Sequence, residues 1–424
     1  MRLAIRGGRV IDPANGLDGV QDIYIDQGRI AALGAPPDGY TPDREIDARG
    51  LVVCPGLVDL CARTREPGLE HKATIASETA AAAAAGITTL CCPPDTDPVI
   101  DTPAVAQLVR QRAEAAGFAR LVPLGALTRK LAGEALSEMA ELRDAGCVGV
   151  SNVSPVVNSQ ILRRALEYAA TYDLTVFLNP VDPWLADAGC VHEGAVATRL
   201  GLAGIPEAAE TAAVARDLAL ITQTGVRAHF CRLSTAAAVR MIARAQYDGL
   251  PVSADVSAHH LILTEESLDY FDSQCHVLPP LRTPRDQEGL TDGVVRGVIA
   301  AVCSDHQPHE PDAKQAPFAA TEPGISGLET LLPLTLRLVA IGALALPEAI
   351  ERLTSGPAQI LRIAAGTLAP GAVADVCIFD PEAKWRLSAA EMRSQGRNTP
   401  FLGTELTGRV MHTVLNGRVV FERN

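Results

Sequence analysis

The chain of 424 residues is long enough for one large α/β barrel with an appended domain, or for about two or three average domains. With 47% hydrophobic and 21% charged residues, its composition is that of a globular protein with a substantial core. The formal net charge of −13 argues against nucleic acid and anionic membranes as partners, because both repel an acidic surface. No apolar run approaches the roughly 20 residues that a membrane span needs.

The ten cysteines show neither C-x-x-C pairs nor the dense spacing of a disulfide framework. In a chain of this length, such a pattern is typical of reduced thiols. We therefore expect a cytoplasmic location.

Both ends of the chain are rich in predicted strands. Near the start, residues 22–25 and 29–33 flank a tight Asp-Gln-Gly turn, which indicates a hairpin. Near the end, strands are predicted at 374–380, 410–415 and 419–421, the last two around an Asn-Gly turn. These patterns predict a small β-sandwich domain built from both termini, residues 1–54 and 365–424.

The middle of the chain alternates short apolar runs with alanine- and leucine-rich helical stretches such as 72–85, 104–116, 161–171 and 208–224. The apolar runs lie at residues 51–60, 87–92, 121–126, 147–151, 174–179, 226–231, 252–256 and 298–304. Eight strands separated by helices, with nearly continuous apolar strand sequence, are typical of an α/β protein with a parallel (β/α)8 TIM barrel. We assign this barrel to residues 55–364, and its functional groups are expected at the carboxyl ends of the strands.

At the end of the first barrel strand, Cys61 and Arg63 are two residues apart and therefore project to the same side of an extended segment. This spacing lets two side chains hold one metal ion. Cysteine binds zinc as a thiolate, but arginine carries only hydrogen-bond donors and stays protonated, so it cannot bind a cation.

The other strand ends differ in their chemistry. The eighth strand is followed by Asp305 and His309, which is typical of the general base and metal ligands of a hydrolytic barrel. The fourth, fifth and sixth strands are followed by Asn152, Asn179 and Arg232, none of which is a good metal ligand.

Short motifs along the whole chain resemble those of the dihydroorotase branch of the amidohydrolase superfamily, in particular the bacterial type that associates with aspartate carbamoyltransferase. They are Arg-Glu-Pro-Gly at 65–68, Pro-Pro-Asp-Thr-Asp-Pro at 93–98, His-Glu-Gly at 192–194, Leu-Gly-Leu-Ala-Gly-Ile-Pro at 200–206, Pro-Pro-Leu-Arg at 279–282, Gly-Ile-Ser-Gly-Leu-Glu at 324–329 and Asn-Thr-Pro-Phe-Leu-Gly at 398–403. The resemblance implies an amidohydrolase-type barrel with a site that holds two metal ions.

The resemblance also implies which positions once held the metals. They correspond to Cys61, Arg63, Asn152 (or Val153), Asn179, Arg232 and Asp305, and only the aspartate keeps a ligand.

Four further positions correspond to substrate-binding residues of the family. Asp95 and Leu278 stand in place of two asparagines, whereas Arg65 and His309 keep the residue types that receive the substrate's carboxylate. We expect all four, like Asp305, to be vestigial.

With five of six ligand positions lost, we expect no metal, no other cofactor and no catalysis. The resemblance then implies a pseudoenzyme, a non-catalytic assembly or regulatory subunit in pyrimidine biosynthesis. Its expected partner is the aspartate carbamoyltransferase catalytic chain, together with homo-oligomer contacts.

Two alternatives remain open. One is an active hydrolase of cyclic amides, dihydroorotase- or hydantoinase-like, that works without the family's metals through Cys61, Asp305 or His309. The other is a sensor that binds an anionic small molecule through Arg63, Arg65 and His309 at the barrel mouth.

We further expect Arg63 and Arg232 to form ion pairs with Asp305 and Asp95, so that protein cations stand where the family has metal cations. In the competing arrangement, both arginines point to solvent.

Overall fold

The computed structural model describes residues 2–423, which hold nineteen strands and twelve α-helices. The strands are β1 (Leu3–Asp12), β2 (Leu17–Asp26), β3 (Arg29–Leu33), β4 (Arg44–Asp47), β5 (Val52–Pro55), β6 (Leu57–Asp59), β7 (Ile87–Cys92), β8 (Arg120–Pro123), β9 (Gly125–Ala126), β10 (Val150–Ser151), β11 (Val176–Leu178), β12 (Val191–His192), β13 (Gly204–Ile205), β14 (Ala228–Phe230), β15 (Val252–Ser257), β16 (Ala301–Cys303), β17 (Val376–Arg386), β18 (Glu405–Leu415) and β19 (Arg418–Glu422). The α-helices are α1 (Ile75–Ala84), α2 (Pro103–Ala116), α3 (Met139–Asp144), α4 (Ser159–Thr171), α5 (Pro183–Ala186), α6 (Ala195–Leu200), α7 (Ala208–Thr224), α8 (Ala236–Tyr247), α9 (Pro284–Val295), α10 (Leu331–Ala340), α11 (Leu346–Glu351) and α12 (Ser355–Leu361). No helix within residues 2–423 has both the length and the apolar character needed to cross a membrane.

The strands from both chain ends form one hydrogen-bonded sheet, which we call the terminal sheet. Its order is β19-β18-β17-β5-β1-β2-β3, with β4 paired to β1. The predicted β-sandwich is not confirmed, because β5 pairs with both β1 and β17 and so joins the two ends edge to edge. The domain boundaries at 54/55 and 364/365 stay a prediction.

The predicted parallel strands of the middle region are present and pair in a ring. One parallel sheet joins β6, β7 and β8, and a second runs through β9, β10, β11, β14, β15 and β16. A single residue separates β8 from β9. A parallel bridge from Ala62 to His306 connects the segment after β6, the first barrel strand, to the segment after β16, the last. This is the strand order of a (β/α)8 barrel.

The predicted strand at 51–60 is two strands that belong to different sheets. β5 lies in the terminal sheet and β6 in the barrel, and Gly56 lies between them. The Gly56 N–H donates to the carbonyl of Asp375, and a Cβ at this position would lie 2.2 Å from Thr88 Oγ1. An apolar run carries no signal for the sheet it joins, so the sequence could not show this division.

Three of the barrel helices begin where a threonine side chain accepts a backbone N–H group of the first turn. Thr74, Thr235 and Thr283 cap α1, α8 and α9 in this way. The buried faces of these helices pack on the barrel strands in one large hydrophobic core. This packing holds the strand ends in the positions that build the site.

Gly86 provides a test of how firmly the terminal sheet and the barrel are joined. Its φ is +80°, and a Cβ would lie 2.4 Å from Cys377 Sγ in β17. Gly225, at the end of α7, has a similar φ of +66° but open space around it. In urea unfolding, we expect Gly225→Ala to lower the free energy of unfolding by about 1 kcal/mol through backbone strain alone. Gly86→Ala should cost about 2–4 kcal/mol, because it adds a steric clash. Equal losses would contradict the close packing.

Candidate functional site

Charged side chains that follow four barrel strands, β6, β7, β14 and β16, meet at the mouth of the barrel. Arg232, after β14, donates from Nη1 to Oδ1 of Asp305, which follows β16, at 2.9 Å. Arg63, after β6, places its Nη1 3.5 Å from the same oxygen and donates from Nε to Asp95 Oδ2 at 2.6 Å. The expected ion pairs are therefore present, and the arrangement with both arginines in solvent is wrong. We call Arg63, Asp95, Arg232 and Asp305 the mouth cluster.

Burial makes these pairs energetically significant. The side chains of Arg63, Arg232 and Asp305 are only 8%, 9% and 1% exposed. Burial alone raises the pKa of Asp305, but the charges of Arg232 and Arg63 outweigh it and hold the pKa below its usual range. The pKa of Asp95 is lowered for the same reason, by Arg63. Both carboxylates are therefore ionised at neutral pH.

Neutral groups add further hydrogen bonds around this cluster. Gln307 Nε2 donates to both oxygens of Asp305, at 3.2 and 3.3 Å, and Asn179 Oδ1 accepts from Arg232 Nη2. Cys61 Sγ lies 3.5 Å from Asp305 Oδ1 and 3.3 Å from Arg232 Nη1. Burial raises the pKa of the Cys61 thiol to about 12, so the thiol is neutral at neutral pH.

The backbone at the site is held in an uncommon conformation. Arg65, Arg232 and Asp305 have φ values of +62°, +53° and +44°, in the left-handed region that favours glycine. Each such residue costs on the order of 1–3 kcal/mol and persists only where its surroundings hold it in place. At Arg232, the backbone N–H donates to the buried Asp255 carboxylate, which supplies one such restraint.

Asn152 and Leu278 lie outside the mouth cluster. Asn152 accepts a hydrogen bond from Thr128 Oγ1 and donates to the carbonyls of Leu131 and Ser154. It therefore connects its own loop to the segment that follows β9. Leu278 is 40% exposed and lines a cavity of about 340 Å³ at the mouth, as do Arg63 and Arg232.

Arg65 and His309 contact each other but do not line this cavity. Arg65 Nη2 lies 3.0 Å from His309 Nε2, and Arg65 Nε donates to the carbonyl of Pro308. Lys72 Nζ lies 3.2 Å from His309 Nδ1 and bonds to Glu322. Burial first, and then the charges of Arg65 and Lys72, lower the pKa of His309 to about 3. This group fixes the loop after β16, and the proposed trio of Arg63, Arg65 and His309 does not converge on one cavity.

The residues of the mouth do not fit a divalent metal ion. Two guanidinium groups surround Asp305, and the neighbouring cysteine is a neutral thiol. Within residues 2–423, the three side chains that could together hold an ion are those of His229, Cys231 and Asp255. There the imidazole nitrogens lie 2.8 Å from Ser253 Oγ and 3.1 Å from Asp255 Oδ2, so the group is already closed by hydrogen bonds.

The sequence reasoning missed several buried polar residues that support the site. Asp59, in β6, accepts from the backbone N–H and the hydroxyl of Ser304, and burial raises its pKa to about 7. Asp255, in β15, restrains Arg232 as described above. Both are carboxylates within predicted strands, at residues 51–60 and 252–256, and a carboxylate in such a strand was the signal available in the sequence.

The parallel barrel carries these charged side chains at the carboxyl ends of its strands, where proteins of this fold place their functional groups. Residues 50–238 match the family model described as Dihydro-orotase-like, and residues 329–421 match the model described as Amidohydrolase family. The chain is 54% identical to the dihydroorotase-like protein of Pseudomonas aeruginosa over 100% of both chains. It is 45% identical to the dihydroorotase of Syntrophotalea carbinolica, covering 99% of both chains. It is also 45% identical to the dihydroorotase of Anaeromyxobacter dehalogenans, covering 99% of this chain and 98% of that relative. The chain therefore belongs to the dihydroorotase-like family of amidohydrolases.

The solved structures extend this likeness at the level of the fold. The L-hydantoinase from Arthrobacter aurescens superimposes with a TM-score of 0.90 at 24% identity, covering 100% of this chain and 96% of that chain. The dihydropyrimidinase from Brevibacillus agri gives a TM-score of 0.86 at 21% identity, with 100% and 95% coverage.

Removing Arg232 tests the role of the mouth cluster in stability. We expect Arg232→Met to lower the free energy of unfolding by at least about 2 kcal/mol, because Asp305 is left buried beside only the more distant Arg63. Adding Asp305→Leu should recover most of this loss, since the Arg63–Asp95 pair remains intact. The matched control is Arg244→Met, which breaks an exposed pair with Asp248 and should cost less than about 1 kcal/mol. Urea unfolding of the variants measures all three values, and equal losses in Arg232→Met and Arg244→Met would contradict the assignment.

Proposed function

We propose that this protein is a catalytically inactive member of the dihydroorotase-like family that acts as a non-catalytic subunit of an aspartate carbamoyltransferase complex in pyrimidine biosynthesis. The observation that carries the proposal is the bond between Arg232 and Asp305. Asp305 is the one position at which the sequence keeps a metal ligand of the family, and a protein cation is bound to it.

The chemistry of hydrolysis supports this proposal. Attack on a cyclic amide at neutral pH needs an activated water, which a bound metal supplies by lowering the water's pKa to about 7. Asp305 is paired with Arg232, and its lowered pKa makes it a weak base. Cys61 is a protonated thiol, and the two ring nitrogens of His309 contact Arg65 and Lys72. None of the three groups that an altered hydrolase would use is poised for that role.

The balance of charge at the mouth bears on the sensor alternative. Arg63 and Arg232 are matched by Asp95 and Asp305. One observation favours a ligand here: Arg63 Nη1 and Arg232 Nε are buried without a hydrogen-bond partner among the described residues. An anion would nevertheless have to compete with carboxylates already in place, so we keep the sensor as the second candidate.

The case for a partner rests on what the chain retains. The barrel and the terminal sheet are both present, whereas only one of the six metal-ligand positions keeps a ligand. What the chain keeps is therefore the shape of the scaffold rather than the metal chemistry. The motif resemblance indicates the aspartate carbamoyltransferase catalytic chain as the partner, with contacts between copies of this chain in the same assembly. All ten cysteines are unpaired, which suits the proposed cytoplasmic compartment.

Metal content and activity form the first test. We expect purified protein to carry less than about 0.2 zinc per chain and to show no dihydroorotase turnover, because the ligand set is missing. The Cys61→His/Arg63→His variant should stay inactive, since Asn152, Asn179 and Arg232 still replace three ligands. The Syntrophotalea carbinolica dihydroorotase serves as the control for both assays. Stoichiometric zinc, or turnover by the wild type, would overturn the inactive assignment.

Association with aspartate carbamoyltransferase forms the second test. We expect a stable complex when this chain is mixed at about 1 μM with the catalytic chain from the same organism, measured by size-exclusion chromatography with light scattering. An unrelated acidic protein of similar net charge is the control. Failure to associate would contradict the proposed subunit role. It would not affect the proposed absence of catalysis, which the first test addresses.

A further inference from the structure

A second large cleft lies between the terminal sheet and the amino ends of the barrel strands, away from the mouth. Its volume is about 920 Å³. Two hairpin turns of the terminal sheet line one side, at residues 27–29 and 415–418, and the end of α2 and the start of β8 line the other. We call this cavity the seam cleft.

The seam cleft carries a surplus of positive charge. Its lining includes four arginines, Arg29, Arg110, Arg120 and Arg418, against one carboxylate, Glu114. Arg120 is paired with Asp375 at 2.8 Å, whereas the other three arginines have no carboxylate within 4.0 Å among residues 2–423. Counting Asp375, two positive charges remain unbalanced, in a chain whose net charge is −13.

Two of these arginines, Arg110 and Arg29, are held in position by backbone carbonyls. Arg110 Nη1 donates to the carbonyl of Ala145 at 3.0 Å and lies against Gly146, where a Cβ would be only 2.1 Å from it. Arg29 Nη1 donates to the carbonyl of Gly371 at 2.8 Å. Each guanidinium thus uses one nitrogen for anchoring, and further N–H groups remain available.

Glycines also bring the two hairpin turns together. Gly28 and Gly417 have φ values of +78° and +73°, and a Cβ on Gly417 would lie 2.8 Å from the Cα of Gly28. This close approach places Arg29 and Arg418, which follow the two glycines, at the same cleft.

The geometry points to the seam cleft as a binding site for a small molecule that carries a diphosphate or triphosphate chain. Guanidinium groups bind phosphate oxygens through paired hydrogen bonds, and two unbalanced charges suit an anion with at least two negative charges. The volume is within the usual range for small-molecule sites. Leu121, Val122 and Val373 give the cleft an apolar side for the rest of such a ligand. The mouth cluster, whose charges are balanced, offers no comparable surplus, and the inference does not rest on the proposed function.

Calorimetric titration of the full chain with tripolyphosphate tests this site. We expect saturable binding of one tripolyphosphate per chain that weakens as salt is raised. The variant Arg110→Gln/Arg418→Gln should bind at least about tenfold more weakly, because it loses charge-assisted hydrogen bonds to phosphate. The matched control is Arg163→Gln/Arg244→Gln, which removes two exposed arginines from ion pairs on α4 and α8 and changes the net charge equally.

The outcomes show whether the cleft binds a phosphate chain and which kind of ligand supplies it. No saturable binding at about 5 mM tripolyphosphate, or an equal loss in the control variant, would overturn the inference. A nucleoside triphosphate that binds as tightly as tripolyphosphate assigns the cleft to nucleotides, and one that binds about tenfold more weakly assigns it to free polyphosphate. If the double variant fails to fold, protection of Arg418 in the wild type from arginine-specific modification by phenylglyoxal decides: tripolyphosphate should protect it, and absence of protection overturns the inference.

Discussion

The ion pair between Arg232 and Asp305 is the constraint on which the rest of the site depends. Asp305 is almost fully buried, and a buried carboxylate without a partner would cost several kcal/mol. Arg232 supplies the closest cation, Arg63 a second, and Gln307 two further donors. Because a buried charge is costly without a partner, each of these side chains restrains the others. The same arrangement leaves the Asp305 carboxylate bound to protein cations at the barrel mouth.

The distances within this network follow from closure of the barrel. The parallel bridge between Ala62 and His306 places the segment after β6 beside the segment after β16. Backbone bonds from Arg63 to the His306 carbonyl and from His306 to the Cys61 carbonyl fix their register. Arg63 and Asp305 therefore meet although 242 positions separate them in the sequence. The left-handed φ of Asp305 aims its carboxylate into the mouth, and the surrounding hydrogen bonds offset the strain.

The two ends of the barrel differ in how their charge is used. At the mouth, arginines and aspartates form ion pairs with one another, so their charges are balanced within the protein. At the seam cleft, three arginines have no carboxylate partner among the described residues, and two packed hairpin turns hold two of them in place. Charge that is internally balanced stabilises a structure, whereas charge that is left unbalanced is available to a ligand. The balanced charge at one end and the surplus charge at the other are therefore separate properties of the chain.

The sequence by itself determined the parallel α/β architecture and the residue types that stand at the strand ends. Strand 87–92 and helix 208–224 were predicted with the bounds that the structure gives, because apolar periodicity and length are local properties. Arginine's inability to bind a cation likewise follows from residue type alone. Only the tertiary structure decided that 51–60 is divided between two sheets, that the chain ends form one sheet, and that Arg65 and His309 lie away from the mouth cavity. The physical reason is that pairing partners, and the cavities between them, are set by contacts among residues distant in sequence, such as the turns at Gly28 and Gly417.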